Sequence, residues 1–89
     1  MSLVSITLQN TDDARAIIDA ILADNPKAEL SRFPAMVKIN AEGEMSVNRE
    51  TVESKLGRAW DVQEIHLSLI SLSGNIDEDD DRFRLFWHS

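Results

Sequence analysis

The 89-residue sequence contains no cysteine, only three glycines and only two prolines. Without cysteine there is no disulfide, no thiolate nucleophile and no zinc or iron–sulfur site with cysteine ligands. The chain also lacks the glycine-rich loops that hold nucleotides and the helical histidine motifs that hold metals. We therefore expect no bound cofactor, no metal site and no catalytic residues in this chain.

Basic residues are also scarce, since nine Lys and Arg stand against sixteen Asp and Glu, for a net charge of −7. Phosphate backbones and anionic lipid surfaces both attract clusters of Lys and Arg. No apolar run approaches the roughly 20 residues of a spanning helix, and the first residues lack the basic and apolar regions of a signal peptide. We expect no nucleic-acid partner, no membrane association and a cytoplasmic location.

What the chain does contain is an ordinary globular composition, with 43% hydrophobic and 28% charged residues. A chain of this length forms one domain with a small core, because folding buries only about 60 to 65% of the unfolded surface. We expect a single domain over residues 1–89.

The first half of the chain alternates between strand and helix patterns. Residues 3–8 alternate as in a strand, and apolar residues at helical spacing between 14 and 22 predict an amphipathic helix. Thr11 or Asn10 can cap its start, and Pro26 stops it. Two short strand-like runs follow, at 29–32 and 36–39. The order of this half is therefore β-α-β-β.

The second half repeats this order. A strand around Val47 leads into a short helix that Gly57 can end in a left-handed cap, and residues 65–72 and 83–88 read as two further strands. We predict an α+β fold of two β-α-β-β halves, about residues 1–42 and 43–89, packed into one compact unit with antiparallel or mixed sheets.

The histidines and aromatic residues offer little chemistry. Because His66 sits inside a strand pattern, we expect it to be a residue of a sheet face or contact surface and not a catalytic base. At least three of the five aromatic residues should be buried in so small a domain. Phe86 and Trp87 point in opposite directions on the last strand, so one of them should face outward, as in an interface.

The acidic run at residues 77–81 has the first three ligand positions of a calcium-binding loop. Arg82 stands where that loop needs glycine, and His88 stands where it needs glutamate, so a calcium site is disfavoured. A solvated loop or an electrostatic contact to a basic partner surface remains, and the contact would be made by Asp79, Asp80 and Asp81.

Several longer strings are distinctive, namely DNP (24–26), MVKI (36–39), NRETVE (48–53), LGR (56–58), WD (60–61), QEI (63–65) and LISLSGNIDEDDD (69–81). They resemble the effector component of bacterial multicomponent phenol hydroxylases over almost the whole chain. More distantly, the chain is similar to the regulatory component of soluble methane monooxygenase.

The resemblance implies a non-enzymatic protein that binds a separate di-iron hydroxylase. Family members raise its turnover and couple NADH use, delivered through a separate reductase, to oxygen insertion. By the same resemblance, the segment that lies against the hydroxylase is Ile70, Ser71, Leu72, Ser73, Gly74 and Asn75. Small hydroxyl side chains suit a close approach, Gly74 permits an unusual turn, and Leu72 offers one apolar anchor.

Two other classes remain open on the residues themselves. An acidic ligand-sensing or interaction module, unrelated to monooxygenases, would need a concave apolar pocket with convergent polar groups. An acidic inhibitor that imitates nucleic acid would need carboxylates spread over one long face, whereas here the densest cluster is a single loop.

Overall fold

The computed structural model describes residues 3–87, so His88 lies outside the described residues. A 3-10 turn at Val62–Glu64 precedes the last helix. The other elements are, in chain order, β1 (Leu3–Gln9), α1 (Asp12–Asp24), β2 (Glu29–Arg32), β3 (Met36–Glu42), β4 (Glu44–Asn48), α2 (Arg49–Leu56), α3 (Ile65–Ser68), β5 (Leu69–Ser73), β6 (Asn75–Glu78) and β7 (Arg82–Phe86).

The strands form two antiparallel sheets. The first has four strands in the order β2-β3-β1-β5, and the second has three in the order β4-β7-β6. The predicted α+β class with antiparallel sheets is confirmed. No helix within residues 3–87 is long and apolar enough to cross a membrane.

The hydrophobic core lies between these sheets and the helices. Alternation in β1 turns Val4, Ile6 and Leu8 inward, and all three are fully buried. Helix α1 contributes Ile17 and Ile21 from its apolar stripe. Residues of both sheets and all three helices belong to one buried cluster.

Local signals placed the first helix and the end of the second correctly. The Thr11 side chain accepts a hydrogen bond from the Ala14 N–H at 3.2 Å and caps α1. Helix α2 ends at Gly57, whose φ of 75° is the predicted left-handed cap. Both signals act within a few residues, so they need no tertiary context.

The predicted strand at residues 65–72 is wrong in its first half, because Ile65–Ser68 form helix α3. Asp61 starts a capping box there, with its side chain accepting from Gln63 N–H while Glu64 accepts from the Asp61 N–H. This box winds the chain into a 3-10 turn that continues directly into α3. The alternation of Ile65 and Leu67 was therefore not a strand signal.

The second half also departs from the predicted order. It contains an additional strand, β6, and its strand β5 pairs with β1 of the first half. The four-stranded sheet is consequently shared between the two halves of the chain.

Candidate partner-binding surface

The predicted contact segment, residues 70–75, spans two sheets. Its first part lies in β5, at the edge of the four-stranded sheet, and Asn75 begins β6, at the edge of the three-stranded sheet. Gly74 alone joins them. The segment is thus a corner between two edge strands rather than a loop after a long strand.

One face of the four-stranded sheet packs on the core, and we call the opposite side the outer face. Ser71 lies opposite Thr7 there, and Ser73 lies opposite Ser5. Both serines of β5 are exposed, and Asn40 continues the second row on β3. Paired residues of antiparallel strands share a face, so short polar side chains lie together at the β5 edge, while the exposed Lys38 of β3 lies opposite the buried Thr7.

Of the three apolar residues of β5, Ile70 and Leu72 belong to the predicted contact segment, and Leu72 is not the exposed anchor that was expected. Leu72 lies opposite Ile6 and is half-buried against the core. Ile70 is the extra residue of a bulge between the Thr7 and Leu8 pairings, and it is 49% exposed. Ile70 is therefore a better apolar contact than Leu72.

Sequence reasoning missed Leu67, which is 77% exposed on α3, one turn before β5. A strand over residues 65–72 would place it on the same face as Ile65. The capping-box pattern at 61–64 was the available signal for the helix that turns it outward.

Gly74 has φ of 136°, a conformation that side-chain-bearing residues rarely adopt. A Cβ added there would lie 3.1 Å from the Val4 Cγ1 and 3.5 Å from the Phe86 carbonyl oxygen. Glycine is required at this corner because β1 and β7 both approach its backbone closely. The unusual turn that the sequence predicted at Gly74 is therefore needed for the fold itself.

The acidic run is a hairpin, with Asp77 and Glu78 in β6 and the turn at residues 79–81. Asp79 Oδ1 accepts hydrogen bonds from the N–H groups of Asp81 at 2.8 Å and Arg82 at 2.9 Å. These backbone hydrogen bonds, first that of Asp81, lower the pKa of Asp79 below its ordinary value of 3.8. The Asp79 carboxylate is therefore occupied by hydrogen bonds to the backbone of its own turn.

Asp81 is also engaged, because its carbonyl oxygen accepts from the Arg49 N–H and its carboxylate lies 3.3 Å from the Arg49 guanidinium. Asp80 is exposed, and no hydrogen-bond or ion-pair partner for it occurs among residues 3–87. Of the three aspartates proposed for a charged contact, Asp80 is the one with a carboxylate available.

The corner and the acidic turn stand at opposite ends of β6, five residues apart, or about 17 Å along an extended strand. His66 connects α3 to the end of β6 next to the acidic turn, with its Nε2 2.7 Å from Glu78 Oε1 and its ring in an edge contact with the Phe83 ring.

No three His, Asp or Glu side chains within residues 3–87 are placed to hold a metal ion.

The aromatic residues divide unevenly. Only Trp60 and Phe83 are buried, Phe86 is half-buried under the Arg84 guanidinium, and Trp87 is 42% exposed. The expectation of three buried rings is wrong because Phe33 also faces solvent. The outward residue of the last pair is Trp87.

Comparison with known proteins gives a consistent result. A model of the MmoB/DmpM family matches residues 2–86. The stimulatory component DmpM of phenol 2-monooxygenase from Pseudomonas sp. strain CF600 is 54% identical over 97% of this chain and 96% of its own length.

Solved structures agree with the sequence relatives. A chain in a phenol hydroxylase–regulatory protein complex is 52% identical, covers 98% of this chain and 100% of its own length, and has a TM-score of 0.93. The regulatory protein B of soluble methane monooxygenase shares the fold, with a TM-score of 0.76 at 21% identity over 97% of this chain and 65% of its own.

Proposed function

Since this chain belongs to the MmoB/DmpM family, we propose that it is the stimulatory component of a phenol monooxygenase, which binds the di-iron hydroxylase and promotes and couples hydroxylation. The observation that carries the proposal is 54% identity over nearly the full length of a phenol 2-monooxygenase stimulatory component. This membership replaces the alternative of a module unrelated to monooxygenases.

The proposed role requires binding energy and no reactive group on this chain. A bound protein changes its partner's activity when it binds one conformation of that partner more tightly than another. The hydroxylase performs the oxidation, and a separate reductase supplies electrons from NADH. All of these components work in the cytoplasm.

The contact surface that we propose is the outer face at β5 together with its flanking apolar residues. Ser71 and Ser73 keep the β5 edge of this surface low, so a partner's backbone can approach that edge closely. Ile70 precedes Ser71 in the chain and Leu67 lies two residues before β5; both are exposed, and exposed apolar side chains next to a polar surface are typical of interfaces. Gly74 holds the corner that orients this edge.

Asp80 provides a charged contact at the rim of this surface. The hydrogen bonds of Asp79 and the ion pair of Asp81 with Arg49 hold the turn in one shape, so Asp80 is presented from a defined position. Exposed rim charges act mainly on the rate of association and on its salt dependence.

The test is a titration of this chain into purified phenol hydroxylase with its reductase, NADH and phenol. We expect both the rate of phenol hydroxylation and the ratio of product to NADH consumed to rise and saturate. If neither quantity changes over the whole titration, the proposed function is wrong.

The surface is tested in the same assay with Ser71→Arg, which places a long side chain on the exposed outer face. We expect the concentration for half-maximal stimulation to rise about tenfold or more, because bulk at a close contact reduces affinity. The matched control is Ser54→Arg on α2, also exposed, with the same change of charge. Equal behaviour of the two variants would remove β5 from the contact.

A further inference from the structure

A groove of about 510 Å³ adjoins the row that Ser73, Ser5 and Asn40 form, at the end of the outer face where β1 begins. One wall is the connection between α1 and β2, which includes Pro26 and Ala28. The other wall comes from the start of β1 at Leu3 and from the end of β3 at Glu42. Asn40 of the outer face also lines the groove, while its other lining residues lie outside the surface described above.

The walls of the groove carry unbalanced charge. Four carboxylates and one ammonium group line it, namely Asp24, Glu29, Glu42, Glu44 and Lys27. Asp24 accepts a hydrogen bond from Asn48, and Glu44 pairs with Arg84 at 2.8 Å. Glu29 and Glu42 are exposed, and neither side-chain carboxylate has a hydrogen-bond or ion-pair partner within residues 3–87.

The groove also has an apolar side. Leu3 is 61% exposed, although it lies in a strand whose other apolar residues are buried. The Trp87 side chain is held beside Leu3, because its Nε1–H donates to the Leu3 carbonyl oxygen at 2.8 Å. The Trp87 backbone N–H also donates to the Gly43 carbonyl oxygen, at 3.4 Å. A held indole with an exposed ring is a frequent anchor in protein interfaces.

We propose that this groove receives a segment of the hydroxylase that carries a Lys or Arg side chain next to an apolar one. The cation would lie between Glu29 and Glu42, and the apolar side chain would pack on Leu3 and Trp87. Charge complementarity selects this occupant, because two unpaired carboxylates beside exposed apolar groups match such a segment and repel an acidic one.

Continuity with the outer face supports the same occupant. Leu3 and Ser5 point to the same side of β1, and Ser5 lies directly opposite Ser73. A hydroxylase surface that contacts Ser5 and Ser73 would therefore also reach the groove, because the next pair on this face is Leu3 and Glu42. The inference rests on the proposed function, and it adds the chemistry of the hydroxylase segment.

The test measures binding of this chain to immobilised phenol hydroxylase at several salt concentrations. The double variant Glu29→Lys with Glu42→Lys reverses the charge at the two unpaired carboxylates of the groove. The control, Asp19→Lys with Glu50→Lys, makes the same change of net charge at exposed positions of α1 and α2 outside the groove. Thermal melts establish that both variants are folded.

We expect the groove variant to raise Kd at least about tenfold and to flatten the salt dependence, with a change of less than about twofold for the control. Leu3→Ser should raise Kd about threefold or more, because its exposed side chain would lose an apolar contact. If the parent binds and the groove variant binds like its control, or if Leu3→Ser binds like the parent, the inference is overturned. If the parent itself fails to bind, the proposed function fails first.

Discussion

Gly74 is the residue for which the structure gives the most quantitative prediction of a loss of stability. Replacing it by Ala adds one Cβ at the corner between β5 and β6. That atom would lie 3.1 Å from Val4 Cγ1, which is closer than Cβ atoms normally approach a side chain, and the backbone would hold Ala at φ of 136°. Val4 is fully buried, so it has little freedom to move away.

The expected loss of stability has two contributions. Holding a non-glycine residue in this backbone region costs about 1 to 3 kcal/mol. Forcing an additional methyl group against a packed core side chain costs about 1 to 3 kcal/mol more. Gly74→Ala should therefore reduce the free energy of unfolding by about 2 to 5 kcal/mol, a large part of the total stability of a domain this small.

The matched control is Gly57→Ala at the end of α2. Gly57 also has positive φ, at 75°, but no atom outside its neighbours lies within 4 Å of an added Cβ. The control should lose about 1 kcal/mol, from backbone conformation alone. A domain of this size loses about 4 to 8 °C of Tm for each kcal/mol.

The assay is chemical denaturation and thermal unfolding of the parent and both variants, followed by circular dichroism. We expect Gly74→Ala to melt at least about 4 °C below Gly57→Ala, because the two losses differ by about 1 kcal/mol or more. If the two variants lose equal stability, the close approach of β1 to the corner does not constrain residue 74. The corner would then be free to serve binding alone.

Two further predictions concern side chains that hold turns. Asn25 donates to the Ile21 and Ser46 carbonyl oxygens and accepts from the Ser46 N–H, so Asn25→Ala should lower the free energy of unfolding by about 2 to 3 kcal/mol in urea denaturation; an unchanged midpoint would contradict this. Because the pKa of Asp79 is lowered in the fold, its hydrogen bonds persist above pH 3.8 and weaken as pH falls through that lower pKa. The Arg82 N–H also donates to Asp79, so the midpoint of the pH titration of the Arg82 amide NMR signal should lie below pH 3.8, and Asp79→Asn should remove that transition; a midpoint above pH 3.8 would contradict the assignment.

Part of this fold could be predicted because its causes are local. Helix α1 begins at a capping threonine and carries one apolar stripe, and α2 ends at Gly57, as expected. The net charge, the missing motif residues and the distinctive strings between 48 and 81 could also be read without a structure. These properties depend on residue identity and on spacing within one or two turns of chain.

The tertiary structure alone decided which residues of the candidate surface are available. Pairing of β5 with β1 turned Leu72 toward the core, while a bulge and a short helix left Ile70 and Leu67 outside. The contact that makes Gly74 necessary joins it to Val4, 70 positions earlier in the chain. Such pairings between distant strands have no local signature, because the energy that selects them comes from burying both strands in one core.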